Sequence, residues 1–262
     1  MSIFAHNLTM DKLLAPLLAH CFTAPVWRME IDELSDAIVL ELRSEAEKQV
    51  SFASLSLTTG QVNFKNYLTE ERWLVGLEAL YNGVALLHYY KNENSPEHKG
   101  IIAIDAQTGT NLWANYSFAF DGLTPNGLAA YNTALQPKKT VLLDIATGAV
   151  LRNCTPADKP LTNNIVVPSM ISAQQLPQHS LPLQPYGNMV HYLHHNKYII
   201  VSLHTFENGV LQQHMFIMDG ANIVYRDVLN SGIQKLQPEA FVLHKNVLVY
   251  IKNKTELKAV RL

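Results

Sequence analysis

Residues 100–113 read Gly-Ile-Ile-Ala-Ile-Asp-Ala-Gln-Thr-Gly-Thr-Asn-Leu-Trp, and this order predicts a strand, a tight turn and a second strand. An apolar run leads to Asp105, and a β-prone segment leads to Trp113. Between them, Gly109 fits a turn position that needs a positive φ, and the side chains of Asp105 and Thr108 can hydrogen-bond locally to hold the reversal. The stretch therefore predicts one β-hairpin.

The same phrase occurs at two other places in the chain. One copy surrounds Thr59-Gly60 and leads to Phe64, and the other surrounds Thr147-Gly148 and leads to Leu151. Three Thr-Gly turns that each enter a strand indicate an internal repeat. Strand sets of about 40 to 50 residues in series are typical of a β-propeller.

Alternating apolar residues and turn residues predict strands throughout the chain from Pro25 onward. The predicted strands are 26–31, 37–43, 50–57 and 61–67; 73–80, 84–90, 101–105 and 111–118; 119–123, 128–131, 140–144 and 149–152; 189–195, 198–205, 211–218 and 222–228; and 240–244, 247–251 and 256–262. The last set is one strand short. We therefore predict an all-β fold with a single, five-bladed propeller domain over residues 1–262.

The two ends of the chain are predicted to complete one blade together. Val26–Ile31 carries Trp27, the aromatic residue that the incomplete set lacks, so we predict that it pairs with Glu256–Leu262. Such closure removes an exposed sheet edge. Residues 1–24 are interpreted as a helical or irregular arm. They form a poor secretion signal, because the only early basic residue is next to an acidic one, and we predict a cytoplasmic protein.

Composition excludes several classes of function. The 262 residues are 48% hydrophobic, carry a formal net charge of −2 and have a pI near 6.6. Without a basic surplus, neither nucleic-acid binding nor binding to anionic membranes is expected. No apolar run reaches the ~18 residues of a membrane helix. The two cysteines, Cys21 and Cys154, show no metal-ligand spacing and are interpreted as buried small side chains. We expect a monomer.

The repeated phrase resembles the quinoprotein-type, or PQQ-like, propeller repeat: a strand, Ala-Leu-Asp, Thr-Gly and a strand with Trp. Ile102-Ala103-Ile104-Asp105, Thr108-Gly109 and Trp113 match it well, and the other copies match in part. The family pattern includes uncharacterised bacterial members of about this length, which this chain resembles. The enzyme branch of that family implies PQQ, Ca²⁺ and a catalytic Asp. This chain is too short for six to eight blades and offers no assignable calcium ligands, so we expect no cofactor.

Histidine is the one enriched functional residue type. If residues 196–197 and 207–209 form hairpin turns, strand alternation places four histidines on one face, with His204 opposite Gln212 and His214 opposite Ser202. These candidate metal ligands are His191, His195, His204 and His214. Imidazoles in such a cluster could bind Zn²⁺. A ladder of polar side chains between blades is the alternative, and a one-residue error in a turn scatters the cluster.

Two further sets of residues are interpreted as structural. Glu41 and Arg43 alternate on a predicted strand, and we interpret them as a solvated strand face. Trp27, Trp73 and Trp113 could form an aromatic platform for a ligand. The repeat places at least Trp27 and Trp113 at equivalent positions, and this favours packing between blades, with the indole N–H bonded to backbone.

A Pro-rich segment, residues 153–187, interrupts the strand pattern and is predicted to be a loop. Propellers bind partners where loops converge at a channel mouth. The loop's candidate contact residues are Met170, Ile171, Leu176, Leu181, Leu183 and Tyr186. Packing on the flank is the alternative. The sequence thus favours a non-catalytic scaffold for a protein or small-molecule partner, and a metal-assisted enzyme that uses the four histidines is the alternative. No nucleophile elbow, phosphate loop or dinucleotide fingerprint is present.

Overall fold

The structure, a computed structural model, describes residues 13–176 and 181–262. These residues form strands and one 3-10 turn, Ala173–Gln175, and they include no α-helix. Among them, no helical segment has the length and hydropathy needed to cross a membrane. The prediction of an all-β fold is confirmed. Most of the predicted N-terminal arm, residues 1–12, and Pro177 of the Pro-rich segment lie outside the described residues.

The chain divides into two compact units. The N-terminal unit holds Leu18–Ile165 and Lys254–Glu256, and the C-terminal unit holds Val166–Asn253, Leu257–Leu262 and the described residues up to Leu17. The first strand, β1, is Pro16–Cys21. A strand therefore occurs where the sequence suggested a helical or irregular arm, because Pro16 starts the segment and interrupts the helical apolar pattern.

Three four-stranded sheets make up most of the N-terminal unit. Their strands are β2 (Val26–Ile31), β3 (Ala37–Ser44), β4 (Gln49–Ser56) and β5 (Val62–Tyr67); β6 (Val75–Tyr81), β7 (Val84–Tyr90), β8 (His98–Asp105) and β9 (Asn111–Asn115); and β10 (Phe118–Thr124), β11 (Gly127–Asn132), β12 (Thr140–Leu143) and β13 (Val150–Asn153). Within each sheet every strand pairs antiparallel with the next in sequence. Successive meanders of this kind make the fold propeller-like.

The Thr-Gly turns form as predicted, and those at Gly109 and Gly148 each pack against an aromatic residue of the preceding repeat, Phe64 and Trp113. Asp105 Oδ1 accepts hydrogen bonds from the backbone N–H of Gln107 and Thr108, and Gly109 has a φ of +73°. A Cβ atom at Gly109 would lie 3.2 Å from the Phe64 ring. Buried strand residues form two apolar clusters in this unit. One includes Val39, Phe52, Leu77 and Leu87, and the other includes Leu86, Leu128 and Leu143.

The C-terminal unit contains a five-stranded antiparallel sheet. Its strands are β14 (Ser169–Ser172), β15 (Met189–His195), β16 (Tyr198–Glu207), β17 (Val210–Asp219) and β18 (Asn222–Ser231). Strands β19 (Val242–His244), β20 (Val247–Lys252) and β21 (Glu256–Arg261) follow, and the order in this last sheet is β1-β21-β20-β19. The core of the unit includes Ile200, Met215, Leu248 and Tyr250.

The predicted pairing of Val26–Ile31 with Glu256–Leu262 is wrong. Val26–Ile31 is β2, and it pairs with β3. A tight turn joins the two strands, in which Ser35 Oγ donates to Asp32 Oδ2 and Asp36 adopts a φ of 54°. The neighbour of β21 at the sheet edge is β1 instead. A short turn satisfies the backbone of β2 locally, so β2 has no need of a distant partner.

The described part of the Pro-rich segment contains a strand where the sequence predicted only a loop. Residues 169–172 form β14, which pairs with β15 at the edge of the five-stranded sheet, and a 3-10 turn follows it. Both cysteines are free thiols, but Cys21 is exposed and Cys154 is partly exposed, so the prediction that they are buried is wrong.

Candidate functional site

Three irregularities of strand pairing lie close together in the N-terminal unit. The register of β2 against β3 skips Trp27, and that of β6 against β7 skips Glu78. Between β7 and β8 a single residue, His88, lies opposite two residues, Gly100 and Ile101. β-Bulges re-aim side chains that regular pleating would point elsewhere, and they are enriched next to functional sites. The side chains of Trp27, Glu78 and His88 therefore depart from the regular alternation of their strands.

Arg43, on β3, is the anchor of this region. Its guanidinium donates to Glu41 Oε1 at 2.5 Å and to the carbonyl oxygen of Val75 at 2.8 Å. Glu41 is only 2% exposed, and its second oxygen accepts the backbone N–H of Leu77 at 2.7 Å. The interpretation of Glu41 and Arg43 as a solvated face is therefore wrong, because neighbouring strand β6 covers both groups and supplies backbone partners.

Three aromatic rings surround the same guanidinium. Arg43 Cζ lies 5.6 Å from the Trp27 ring centre, 5.4 Å from that of Trp73 and 5.9 Å from that of Tyr90, all within the range of cation–π contact. The guanidinium of Arg43 therefore makes cation–π contacts with all three rings. Trp27 stays 67% exposed, which leaves one indole available to a ligand.

These rings line an open groove, which we call the aromatic groove. Its volume is about 440 Å³, within the range of small-molecule sites. The remaining wall comes from the polar turn after β7, residues 92–96, which reads Asn-Glu-Asn-Ser-Pro. One wall of the groove is therefore aromatic and the other carries amide, carboxyl and hydroxyl groups.

Next to the aromatic groove, Glu78, His88 and His98 form what we call the His-Glu cluster. Oε2 of Glu78 lies 2.7 Å from Nδ1 of each histidine, and one ligand atom from each residue lies within 4.8 Å of the others. The two imidazoles stack with ring centres 3.5 Å apart. Tyr90 packs edge-on against both rings, at 4.7 and 5.1 Å, and so separates the cluster from the groove.

Burial and charge set the protonation of the His-Glu cluster. Burial lowers the pKa of His88, against the opposing pull of the Glu78 carboxylate. Burial also raises the pKa of Glu78, but the two imidazoles more than offset that effect, and the net pKa is below its usual value. At neutral pH the cluster therefore combines an ionised carboxylate with a neutral buried imidazole, and this is the donor chemistry that borderline metal ions take.

The structure separates the four histidines predicted as metal ligands. The turn between β16 and β17 is one residue shorter than assumed, so His204 lies opposite Gln213 and His214 lies opposite Leu203. Strand alternation then puts His214 on the other face from His191, His195 and His204. The Nε2 atom of each ring has a different neighbour within 3.0 Å. The pairs are His191 with Pro238 O, His195 with Asn246 Oδ1, His204 with Gln237 N, and His214 with Thr205 Oγ1.

His204 gives the protein a predictable pH dependence. Burial, with smaller effects of His191 and His214, lowers the pKa of His204 to about 4, whereas an unfolded histidine titrates near 6.5. Between these pH values His204 binds more protons in the unfolded chain than in the folded protein. Its contribution to the free energy of unfolding is therefore fully present above pH 6.5 and is lost as the pH falls towards 4. We expect the loss to reach roughly 3 kcal/mol.

His204→Gln tests this expectation, because the glutamine carbonyl can still accept the Gln237 N–H but cannot titrate. Urea unfolding between pH 7 and pH 4 should show a shallower decline for this variant than for the parent. His194→Gln alters an exposed histidine and should behave as the parent does. An equal decline in all three proteins would contradict the assignment to His204.

Most of the candidate contact residues of the Pro-rich segment face inward. Four of the six pack against the buried cluster that includes Val201 and Phe216; they are Ile171, Leu176, Leu181 and Leu183. Met170 and Tyr186 are 53% and 50% exposed, and the Tyr186 ring lies 5.4 Å from that of Phe206. Of the six candidate contact residues, only Met170 and Tyr186 therefore stay exposed.

The sequence allowed two roles for the three tryptophans, packing between blades or lining a ligand site, and the structure shows both. Trp113 packs on the next Thr-Gly turn, and its indole N–H donates to the carbonyl oxygen of Ile145 at 2.9 Å, as predicted. Trp27 and Trp73 instead line the aromatic groove. Sequence reasoning missed Glu78, His88 and His98 altogether, because each stands alone in an apolar or polar stretch and only strand pairing brings them together.

Comparison with known proteins adds a family match over part of the chain. A model of a domain of unknown function, DUF4905, matches residues 31–113. That segment includes Glu41, Arg43, Glu78 and both histidines of the His-Glu cluster. Among curated proteins nothing matches the chain.

Several solved structures are similar at low identity. BamB from Moraxella catarrhalis is 10% identical, with 90% of this chain and 84% of that chain covered and a TM-score of 0.24. A GH43_1 enzyme from Xanthomonas citri, complexed with xylose, is 11% identical over 96% and 90% of the two chains, with a TM-score of 0.33. TolB from Acinetobacter baumannii is 13% identical at a TM-score of 0.28; 90% of this chain aligns with 54% of it. Similarities this low carry no inference about activity.

Proposed function

We propose that this chain is a non-catalytic binding protein that holds a small, hydroxyl-rich ligand of the saccharide class in the aromatic groove. The observation that carries the proposal is Trp27, an indole displaced outward by a bulge and 67% exposed beside two further aromatic rings. An exposed indole in a soluble protein gives up the favourable burial of a large apolar surface, and a binding site is the common reason for such exposure.

The chemistry of the groove fits a saccharide better than an ion or a lipid. Sugar rings combine apolar C–H faces, which lie flat on aromatic rings, with hydroxyl groups, which hydrogen-bond to amide and carboxyl groups. The aromatic groove supplies rings on one side and Asn92, Glu93, Asn94 and Ser95 on the other. The charge of Arg43 is already neutralised by Glu41, so a charged ligand gains little there.

For the architecture, we propose a single propeller whose five sheets are its blades, with β1 as the closing strand. Two backbone hydrogen bonds in the N-terminal unit support this closure: Phe22 N–H donates to Thr255 O, and Val26 N–H donates to Lys254 O. They fix the start of the first complete sheet to residues near the end of the chain. In this arrangement the strands of each blade follow one another in sequence. The last blade is different, because its fourth strand, β1, comes from the N-terminal end of the chain.

The two hypotheses from the sequence have less support. A partner bound on the Pro-rich segment would find only Met170 and Tyr186 exposed among the six residues proposed for it. A metal-assisted enzyme on the four histidines would have to break the contacts that each ring makes with its own neighbour.

Trp27→Ala tests the proposed ligand site. Calorimetric titration of the protein with glucose, galactose, mannose and their short oligomers should show saturable binding, and Trp27→Ala should weaken it at least about tenfold, as loss of an aromatic anchor does. The melting temperature should stay nearly unchanged, because the indole is mostly exposed.

Tyr186→Ala is the matched control, since it removes a half-exposed aromatic residue from the Pro-rich segment. It should bind as the parent does. If Tyr186→Ala loses binding and Trp27→Ala keeps it, the ligand lies on the Pro-rich segment. If no saccharide binds, the proposed ligand class is wrong.

A further inference from the structure

We propose that Glu78, His88 and His98 bind one divalent transition-metal ion, with Zn²⁺ as the best match. Two imidazoles and one carboxylate form a ligand set that zinc takes in proteins, with a fourth position left to water or a ligand. Their donor atoms lie within 4.8 Å of one another, so side-chain rotation alone can bring all three to one ion. The site is distinct from the aromatic groove and goes beyond the function proposed for it.

The environment of His88 is a second, independent sign of a ligand. Its imidazole is 2% exposed, and neither ring nitrogen has a hydrogen bond. Nδ1 lies 2.7 Å from Glu78 Oε2, but that oxygen is out of the direction that a ring N–H requires. Buried polar atoms without a hydrogen bond are rare and costly, and an ion or water is a common explanation. Metal coordination would satisfy the nitrogen that faces the cluster.

The shape of the cluster shows which groups must move. The two rings are nearly parallel, 7° apart, so one ion cannot lie in both ring planes until a ring turns. His98 is the side chain that can turn: it is 29% exposed and begins strand β8. The His88 ring is buried and packs directly over Gly76, where a Cβ atom would lie 2.8 Å from His88 Cε1.

Glu41 is the group placed to support a metal-bound His88 from outside. A Cβ atom on Gly76 would lie 2.9 Å from His88 Nε2 and 3.3 Å from Glu41 Oε2, so both atoms border the same small space over the glycine. When an ion binds, a hydrogen bond from Nε2–H to this carboxylate would leave the Nδ1 lone pair for the ion. Arg43 holds Glu41 in that position.

Metal titration of protein prepared without a His-tag and dialysed against a chelator tests this inference. Calorimetry with Zn²⁺ should give one site per chain, and Co²⁺ should produce the visible absorption of a cobalt ion with nitrogen and oxygen ligands. His98→Asn and Glu78→Gln should each lower the affinity at least about tenfold. His98→Asn changes a partly exposed side chain, so it remains informative if Glu78→Gln does not fold.

Two controls separate this site from the others. His214→Asn removes one of the histidines predicted from sequence and should leave zinc binding unchanged. Trp27→Ala should also leave it unchanged, so failure of the saccharide proposal and failure of the metal proposal give different results. Absence of zinc binding in the parent protein, or equal affinity in the parent and His98→Asn, would overturn the inference. Loss of binding in His214→Asn alone would place the ion among the four histidines.

Discussion

A chain that ends at Thr255 is expected not to accumulate as a folded, soluble protein. The truncation removes strand β21, which lies between β1 and β20 in its sheet and is therefore not an edge strand. Leu257, Ala259 and Val260 in this strand are completely buried. Loss of their apolar area alone costs more than about 3 kcal/mol, a large part of the stability of an ordinary domain. Expression and size-exclusion chromatography of the truncated chain should show aggregate.

The point variant Leu257→Ala is the milder form of the same test. It leaves the strand in place and removes one buried side chain, so we expect a folded protein that is less stable by about 2–5 kcal/mol. Urea unfolding measures that loss. A soluble truncated chain with the melting temperature of the full chain would show that β21 does not stabilise the fold.

Arg43→Ala is expected to destabilise the N-terminal unit by about 3–5 kcal/mol, the usual cost of removing one member of a buried ion pair. Glu41 would be left as an uncompensated charge that is 2% exposed, and the Val75 carbonyl oxygen would lose its donor. The aromatic groove would also lose the cation that its rings surround. Urea unfolding gives the change in stability, and the saccharide titration should show weakened binding.

Two further variants identify the cause of that loss. The double variant Arg43→Met with Glu41→Gln removes both charges and should recover a large part of the stability, because no unpaired charge stays buried. Lys91→Ala breaks an exposed ion pair with Glu97 and should leave the unfolding midpoint unchanged. A loss below about 1 kcal/mol for Arg43→Ala would mean that the pair behaves as a surface pair and that Glu41 is solvated.

Local sequence signals were sufficient for most of the strands and for the repeated Thr-Gly turns, although β1 and β14 were missed. The predicted strand 84–90 is β7 as observed, and the Thr-Gly turns at Gly60, Gly109 and Gly148 all have a positive φ. These features depend on side-chain alternation and on turn chemistry within a few residues, both of which a sequence displays directly. The packing role of Trp113 followed from its position in the repeat.

Two errors concerned pairing between segments, although the predicted hairpin at 196–197 formed with His195 opposite Tyr198. The turn at 207–209 was assumed to be one residue too long, and that single residue moved His214 to the other face of the sheet. Val26–Ile31 was assigned to a distant strand although a local turn joins it to β3. In both cases the sequence left several registers open, and only the three-dimensional packing of the sheet selects one.

The sequence by itself determined an all-β chain of repeated hairpins with an apolar core. The tertiary structure alone decided the candidate sites. Glu78 and His88 reach the same point because strand pairing is irregular at both, and Trp27 is exposed for the same reason. A bulge places two residues of one strand opposite one residue of its partner, so its position depends on how two strands pair and not on either strand alone. No local pattern of residues records it.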